Sequence, residues 1–375
     1  MRFLFTCGGT AGHINPAISV AGRLKELLGD SEFLFIGAKG KMEMELVPRE
    51  GYDIRGISIS SLSRSLSLSG LRHNVKAAWD LMTAMPAAGK IIREFKPNVV
   101  IGTGGYVCFP VLRQAAAMGI PTLVHESNAQ PGLTTRKLEK HVSAIMVGFE
   151  SARANYQQPD KVRVTGTPVR MDFLREDKKT AKAALGIPEE MPLVLSVWGS
   201  LGATEMNRTV ARFIAMNMER PSFRFIHSAG KRGYEPMCAY MRDELGLRGW
   251  EEKGFEVRDY IFDMPRLMAA ADLLICRSGA STLAELTAMG KPCILVPSPN
   301  VVNDHQMKNA MVLGEAGGAV VIPERETSAE HLSETVNALL ADGERLAAMG
   351  EAMSSLSVRQ AADEICGIVL ELAGK

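Results

Sequence analysis

The chain has 375 residues, 46% of them hydrophobic and 23% charged, with a formal net charge of +1. That mix excludes a disordered chain, and the near-neutral balance gives no global field for nucleic acid, which is not expected as a partner. The length exceeds one ordinary core and predicts two domains.

In chain order, short apolar runs alternate with helical patterns. The first half reads as strands over Arg2–Cys7, Glu32–Ile36, Asn98–Ile101, Ile120–Val124 and Ala144–Val147, with amphipathic helices such as Pro16–Leu28 and Asn74–Phe95 between them. The pattern pauses over Lys161–Phe173 and restarts with Leu193–Trp198, Phe223–His227, Leu273–Cys276, Pro292–Val296 and Ala319–Ile322. A helix over about Ala361–Leu372 closes the chain. This βα alternation predicts an α/β protein made of parallel sheets covered by helices. Two Rossmann-like halves joined near residue 170 follow, with the active site expected in a cleft between them.

Six cysteines stand singly at positions 7, 108, 238, 276, 293 and 366, with no C-x-x-C pair. Buried reduced thiols are expected, not a zinc or redox site. The apolar N-terminus is too short for a signal peptide core, and no run approaches the roughly 20 residues of a membrane span. A cytoplasmic protein that can still rest on a membrane surface is expected.

Polar and glycine-rich segments fall at the predicted strand ends. Gly8-Gly9-Thr10-Ala11-Gly12-His13 follows the first strand, where glycines admit close approach of a ligand and a helix start offers N–H groups. The same residues also suit a tight turn without a ligand. The segment has neither the Gly-Lys-Ser/Thr of a nucleoside triphosphate loop nor the G-x-G-x-x-G spacing of a dehydrogenase. His13 is either a base for an attacking hydroxyl or a histidine bonded to loop carbonyls. Gly102–Tyr106 and His125–Gly132 end two further strands. In the second half Gly199–Ala203, Arg277–Glu285 and Asn303–Gln306 do the same. The N–H groups of the Arg277–Glu285 segment suit a pyrophosphate. Thr282 and Glu285 also have the spacing of a capping box, in which the glutamate serves only its own helix. No cluster has metal-ligand spacing and no Asp-x-Asp ends a strand, so a metal-free mechanism is expected, with helix dipoles and N–H groups stabilising a leaving diphosphate.

Together these segments resemble the MurG family of UDP-N-acetylglucosamine:undecaprenyl-pyrophosphoryl-muramyl-pentapeptide N-acetylglucosaminyltransferases. The resemblance spans essentially the whole chain. It is carried by Gly8–His13 with Asn15-Pro16-Ala17, Gly102–Tyr106, His125–Thr134, Thr165–Arg170, Gly199–Ala203, Arg277–Glu285 and Asp304–Asn309. It implies a GT-B fold, two Rossmann-like domains facing a cleft: an acceptor and membrane-facing domain over residues 1–168, a UDP-GlcNAc-binding domain over 169–350, and a C-terminal helix in 351–375 packing back on the first domain. It implies inverting transfer of GlcNAc from UDP-GlcNAc to the C4 hydroxyl of lipid I, giving lipid II for the cell wall, without a cofactor. His13 matches the general base, with Glu126 the alternative. Ile261 matches the uracil position. Ala280, Ser281, Thr282, Leu283, Ala284 and Glu285 match the diphosphate and ribose loop. Ser200, Arg170 and Gln306 match further donor positions, and Thr10, Ala11, Gly12 and Asn128 match residues reaching the donor's diphosphate and sugar. Gly104, Gly105 and Tyr106 match the acceptor side.

Two departures stand out. Ala11 replaces a glycine of the family's first loop, which is tolerable only with a negative φ. In the second-domain loop the family usually reads Gly-Gly-Ser-Gln-Gly-Ala, where this chain has Trp198-Gly199-Ser200-Leu201-Gly202-Ala203, so Leu201 removes a glutamine amide that suits a polar contact to donor or acceptor.

Leu62–Met85 mixes Leu66, Leu68, Leu71, Trp79, Leu81 and Met82 with Arg64, Arg72, His73 and Lys76. An apolar surface with a basic rim suits an anionic membrane, and a lipid-linked acceptor places the protein on the cytoplasmic side of the cell membrane as a peripheral protein. Burial of Trp79 and Leu71 in a core excludes that reading. Rival readings are a GT-B enzyme with another acceptor, such as a diacylglycerol, a UDP-GlcNAc 2-epimerase, which needs more acid/base carboxylates, and a non-catalytic nucleotide-sugar binder.

Overall fold

β1 (Arg2–Thr6) is an unbroken apolar run whose Phe3, Leu4 and Phe5 have no exposure, because in a parallel sheet helices cover both faces. The computed structural model of the chain describes residues 1–61, 67–198, 203–301, 304–358 and 360–374. Within these, β1 is joined by β2 (Glu32–Ala38), β3 (Asp53–Ile57), β4 (Val99–Gly102), β5 (Thr122–Glu126), β6 (Ala144–Val147) and β7 (Val162–Val164) in one parallel sheet, in the order β3-β2-β1-β4-β5-β6-β7. A second parallel sheet holds β8 (Leu193–Val197), β9 (Arg224–Ser228), β10 (Phe255–Arg258), β11 (Leu273–Cys276), β12 (Cys293–Leu295) and β13 (Ala319–Val321), in the order β10-β9-β8-β11-β12-β13.

The chain divides into two units, Met1–Arg170 with Val358–Lys375 and Met171–Ser357. Alternate residues of the first sheet feed two cores. Phe3, Phe5, Phe35 and Ile101 face one side, and Leu4, Ile36, Val100 and Val124 face the other. The last helix, Ala361–Leu372, puts Ile365, Cys366 and Val369 into the first of these cores. Arg23 Nε donates to Asp363 at 2.6 Å beside it.

Three elements differ from the sequence pattern. The first helix spans Ala11–Leu28 and does not wait for Pro16, so Gly12 and His13 lie in its first turn. Strand β5 begins after Pro121 and not at Ile120, and continues to Glu126, because proline has no N–H for a ladder. The helix read over Asn74–Phe95 begins at Leu68. All six cysteines are free and buried. Burial pushes the Cys108, Cys276 and Cys366 thiols up to about 12, which keeps them neutral.

The second core contains one wholly buried imidazole. His227 on β9 lies 3.0 Å from Ser196 Oγ through Nδ1 and 3.2 Å from Asn207 Oδ1 through Nε2. The amide oxygen only accepts, so Nε2 carries the hydrogen and Nδ1 accepts from the serine. Burial pushes this imidazole down to about 3. The unfolded chain takes up the proton near pH 6.5, whereas the native chain does not until about pH 3. The stability that His227 contributes is therefore fully present above pH 6.5 and falls by about 1.4 kcal/mol per unit as pH drops between those values. In urea unfolding from pH 7 to pH 4, the stability advantage of wild type over His227→Gln is expected to shrink steadily. An advantage that stays constant would refute this account.

Candidate active site

In each sheet the strand order reverses once, between β1 and β4 and between β8 and β11. Doubly wound sheets bind ligands outside the carboxyl ends of the strands at that reversal. Gly8–His13 follows β1 and Gly102–Tyr106 follows β4, while Arg277–Glu285 follows β11. The Gly199–Ala203 segment follows β8, but Gly199–Gly202, with Ser200 and Leu201, lie outside the described residues, as does Asn303 of the segment after β12.

In the first unit the two glycine segments fit into each other. Gly104 and Gly105 have φ of +116° and +88°. A Cβ on Gly105 would collide with the Gly8 carbonyl, and one on Gly104 would meet the His13 ring, 2.9 Å from Nε2. Only glycine meets both demands. His13 Nδ1 lies 3.0 Å from the Gly8 carbonyl and 3.4 Å from Thr10 Oγ1. A carbonyl only accepts, so Nδ1 carries the hydrogen and Nε2 keeps a lone pair. Thr103 Oγ1 donates to the His13 carbonyl at 2.6 Å and fixes the same turn from β4. Thr10 is exposed and extended at the helix N-cap, and Ala11 and Gly12 open the helix. Tyr106 is half-buried, and burial, with Glu43 adding to it, raises its phenol.

Glu126, at the end of β5, is 6% exposed and fully occupied. Oε1 accepts from the Asn128 backbone at 3.1 Å and side chain at 2.9 Å. Oε2 accepts from Gly132 N at 2.8 Å and Thr135 Oγ1 at 2.9 Å. The carboxylate thus shapes the turn that carries Asn128. His125 beside it is buried, with Nε2 2.9 Å from the Gly166 carbonyl, and burial pushes its imidazole below the usual range. Arg170, the last residue of this unit's long segment, stands 3.8 Å from Glu50.

In the second unit the helix Ala280–Ala288 begins after Gly279, an extended N-cap with no side-chain cap bond and no acidic residue in the first turn. N–H groups and the positive dipole end at such a helix start favour an anion in general. Thr282 is the third helical residue, so it is not the N-cap and the capping-box reading of Thr282 and Glu285 fails. Ser281, Thr282, Ala284 and Glu285 are partly exposed, and Leu283 faces the core. Gln306 knits two loops: its Oε1 accepts from Ser298 N at 2.8 Å, and its carbonyl accepts from Ser278 Oγ at 2.7 Å. Ile261 is buried on the loop after β10, three positions along the sheet from β11. Tyr260 and Phe262 flank it, with ring centroids 4.8 Å apart.

Two residues of the site were given no role by sequence reading, although Arg277 opens the segment Arg277–Glu285 singled out there. Glu43, with no exposure, accepts from Gly9 N at 3.1 Å and from Ala38 N at 3.0 Å. Its Met-rich neighbourhood gives no sequence signal. Arg277 spans four consecutive strand ends. Its guanidinium lies 5.3 Å over the Trp198 ring after β8, donates to Val296 O after β12 at 3.0 Å, and pairs with Glu324 beyond β13 at 2.5 Å. Among the described residues no three His, Cys, Asp or Glu side chains gather at metal-binding spacing.

Comparison with known proteins agrees along the chain. The model of the glycosyltransferase family 28 N-terminal domain matches residues 3–147, and that of the C-terminal domain matches 193–365. A protein of Acetivibrio thermocellus named UDP-N-acetylglucosamine–N-acetylmuramyl-(pentapeptide) pyrophosphoryl-undecaprenol N-acetylglucosamine transferase is 40% identical, covering 99% of this chain and 98% of its own. A protein of the same name from Alkaliphilus oremlandii is 40% identical over 97% of each chain. Among solved structures, Acinetobacter baumannii MurG aligns with a TM-score of 0.74 at 23% identity over 99% of each chain. The UDP-GlcNAc 2-epimerase of Neisseria meningitidis aligns at 0.67 and 16%, over 99% of this chain and 100% of its own. These two show the fold, GT-B, with two Rossmann-like units.

Replacing Glu126 with glutamine puts an NH₂ where two donors now point. A loss of about 2–3 kcal/mol in urea unfolding is expected from the unmatched buried donors. An unchanged midpoint would mean that Glu126 does not organise this turn.

Proposed function

The chain belongs to the family of UDP-N-acetylglucosamine–N-acetylmuramyl-(pentapeptide) pyrophosphoryl-undecaprenol N-acetylglucosamine transferases, and on that premise we propose that it moves GlcNAc from UDP-GlcNAc to the C4 hydroxyl of lipid I with inversion. The observation that carries the mechanism is the His13 tautomer, with Nδ1–H spent on the Gly8 carbonyl and Nε2 left to accept a proton. The attacking C4 oxygen forms the bond to the anomeric carbon as its proton passes to Nε2. The bond from that carbon to the UDP oxygen breaks, and its electron pair leaves with the diphosphate.

The donor roles follow the family positions. The uncapped N-terminus of Ala280–Ala288 takes the diphosphate through backbone N–H groups, and Glu285 takes the ribose. Ile261 serves uracil through its backbone. Ser200, Arg170 and Gln306 complete the donor side, with Thr10, Ala11, Gly12 and Asn128 at the diphosphate and sugar. Gly104, Gly105 and Tyr106 line the acceptor side. Helix dipoles and N–H groups supply the charge stabilisation that a metal would otherwise give. The saturated oxygens of Glu126 leave it no room to act as the base, so its role is to hold Asn128.

Transfer of labelled sugar to a short-chain lipid I analogue in EDTA tests this. His13→Ala is expected to lose on the order of 10²–10⁴ in kcat with little change in the KM for UDP-GlcNAc. A folded wild type that binds UDP-GlcNAc without transfer would sink the acceptor assignment. Full activity of the variant would sink the base.

The membrane reading rests on the helix Leu68–Phe95, since Arg64 and Leu66 before it lie outside the described residues. Ala77, Ala84, Ala88 and Ile92 face the core, while Leu71, Val75, Trp79 and Met82 form an outward stripe, each between 61% and 69% exposed. Arg72, His73 and Lys76 flank it and are exposed too. An outward apolar stripe with cations at its margin fits the surface of an anionic bilayer. No helix among the described residues is long and apolar enough to cross a membrane. Trp79→Glu is expected to cut binding to phosphatidylglycerol vesicles at least tenfold, while transfer to a water-soluble acceptor analogue and thermal stability hold. Unchanged vesicle binding would dismiss the stripe as the docking face.

A further inference from the structure

Glu43 is the first residue of the helix Glu43–Arg49 and has no exposure. No cation stands within ion-pair distance of it among the described residues. A buried carboxylate without a counter-charge is costly and calls for a reason. Its two oxygens are used separately. Oε1 accepts from Ala38 N, in the last position of β2, at 3.0 Å. Oε2 accepts from Gly9 N at 3.1 Å. Its side chain also fills the space that a Cβ on Gly8 or Gly37 would need.

The Gly9 N–H belongs to the same peptide group as the Gly8 carbonyl. That carbonyl is the one 3.0 Å from His13 Nδ1. The result is a chain of three groups: carboxylate, peptide, imidazole. The carboxylate receives the N–H at one end of the peptide, and the C=O at the other end receives Nδ1–H. We propose that Glu43 is a positioning residue that sets the tautomer of His13 through the Gly8–Gly9 peptide. The inference rests on the reading of His13 as the base and adds the residue that keeps its Nε2 unprotonated.

The peptide needs such a restraint. Gly8 precedes it and Gly9, at φ of +89°, follows it, so the two torsions that turn the plane over both belong to glycine. With the plane turned over, an N–H faces the imidazole. Nδ1 then becomes the acceptor, and the hydrogen moves to Nε2, the wrong tautomer for a base. A carboxylate opposes that flip because it cannot donate to the carbonyl brought round to it. A glutamine side chain in its place can. Ala38 N–H is fixed by the strand register, Ala38 pairing with Ile57, so after Glu43→Gln the amide oxygen has to stay there. The NH₂ then faces Gly9 and favours the flipped plane.

The test is Glu43→Gln, with ¹⁵N-imidazole spectra of His13 recorded above its titration alongside steady-state kinetics. Wild type is expected to give the Nδ1–H tautomer. The variant is expected to give Nε2–H and to lose roughly 10²-fold or more in kcat, with the KM for UDP-GlcNAc within about threefold. Glu43→Asp, which keeps two acceptor oxygens, is expected to retain Nδ1–H. A Glu43→Gln protein that keeps Nδ1–H overturns the proposal, whether its rate falls or not. Should that variant fail to fold, the wild-type spectrum decides: Nε2–H there overturns it, and Nδ1–H together with a scalar coupling from Gly9 N–H to the Glu43 carboxyl carbon supports it. The tautomer is read without reference to transfer. A His13→Ala enzyme that keeps its rate would therefore remove the base while leaving the control of the ring by Glu43 separately measurable.

Discussion

A parallel strand buried on both faces has nowhere to put polar chemistry except its ends. Along β1, β4 and β11 the residues Phe3–Phe5, Val99–Ile101 and Leu273–Ile275 are at most 1% exposed, so nothing reactive can be placed there. Every strand of a sheet runs the same way, and the carboxyl ends line up along one edge. Glycine turns and polar side chains are thereby gathered at that edge. The reversal of strand order then separates two neighbouring turns enough to admit a ligand. At their base the turns after β1 and β4 still meet, because the two strands are neighbours in the sheet: Gly104 and Gly105 pack against Gly8 and His13 so closely that only backbone fits there.

Loops gathered in this way have no ladder of their own, and buried charged groups hold them. Glu43 and Glu126 together accept six hydrogen bonds, five from N–H groups and one from a hydroxyl. Arg277 does the same work in the second unit with its planar fork, tying four strand ends where a lysine would reach fewer. The amino edge of the second sheet is closed by charge as well. Lys182 Nζ reaches the Glu189 and Met191 carbonyls at 3.0 and 2.8 Å and Asp272 at 3.0 Å, and Asp272 in turn accepts from Leu193 N at the start of β8. Lys291 sits over the Ala271 carbonyl, and burial lowers its ammonium to about 8. Removing one member of such a set leaves a stranded charge, which costs more than the pair contributes. The charges therefore specify where the loops lie more than they add to stability.

This division explains what could be read from the sequence. Central strands such as Leu273–Cys276 are continuous apolar runs and were legible with their limits. The strands that escaped notice, β3, β7 and β10, are all edge strands, whose mixed burial leaves no clean run. The glycine and histidine segments were legible because strand ends concentrate them. Glu43 was not, since a glutamate in Lys41-Met42-Glu43-Met44-Glu45 looks like any solvated helix residue until the fold brings Gly8 and Gly9 against it. Nor was Val75, whose place in the outward stripe depends on which face the helix Leu68–Phe95 turns to the sheet. Burial of a charge is a tertiary property, and no local pattern announces it.

The same logic accounts for two departures from the family pattern, Ala11 and Trp198, whereas Leu201, which stands where the family has glutamine, lies outside the described residues. A methyl at Ala11 is harmless because the residue is the first of a helix, where φ is negative, and among the described non-glycine residues only Lys96 and Asp304 have positive φ. Trp198 in place of a glycine asks for much more room, and the second core supplies it: the indole is 3% exposed, packed with the Val194 and Val296 cluster, and its face carries the Arg277 guanidinium. A glycine there would leave that guanidinium without its stacking partner. The substitution thus exchanges backbone freedom at the end of β8 for a cation–π anchor on the residue that binds the strand ends together. The GT-B frame is shared with a 2-epimerase at 16% identity, so the frame itself cannot select the chemistry. Selection falls to the loop residues at the strand ends, and an exchange of this kind is possible there only because the buried strands beneath do not have to change with it.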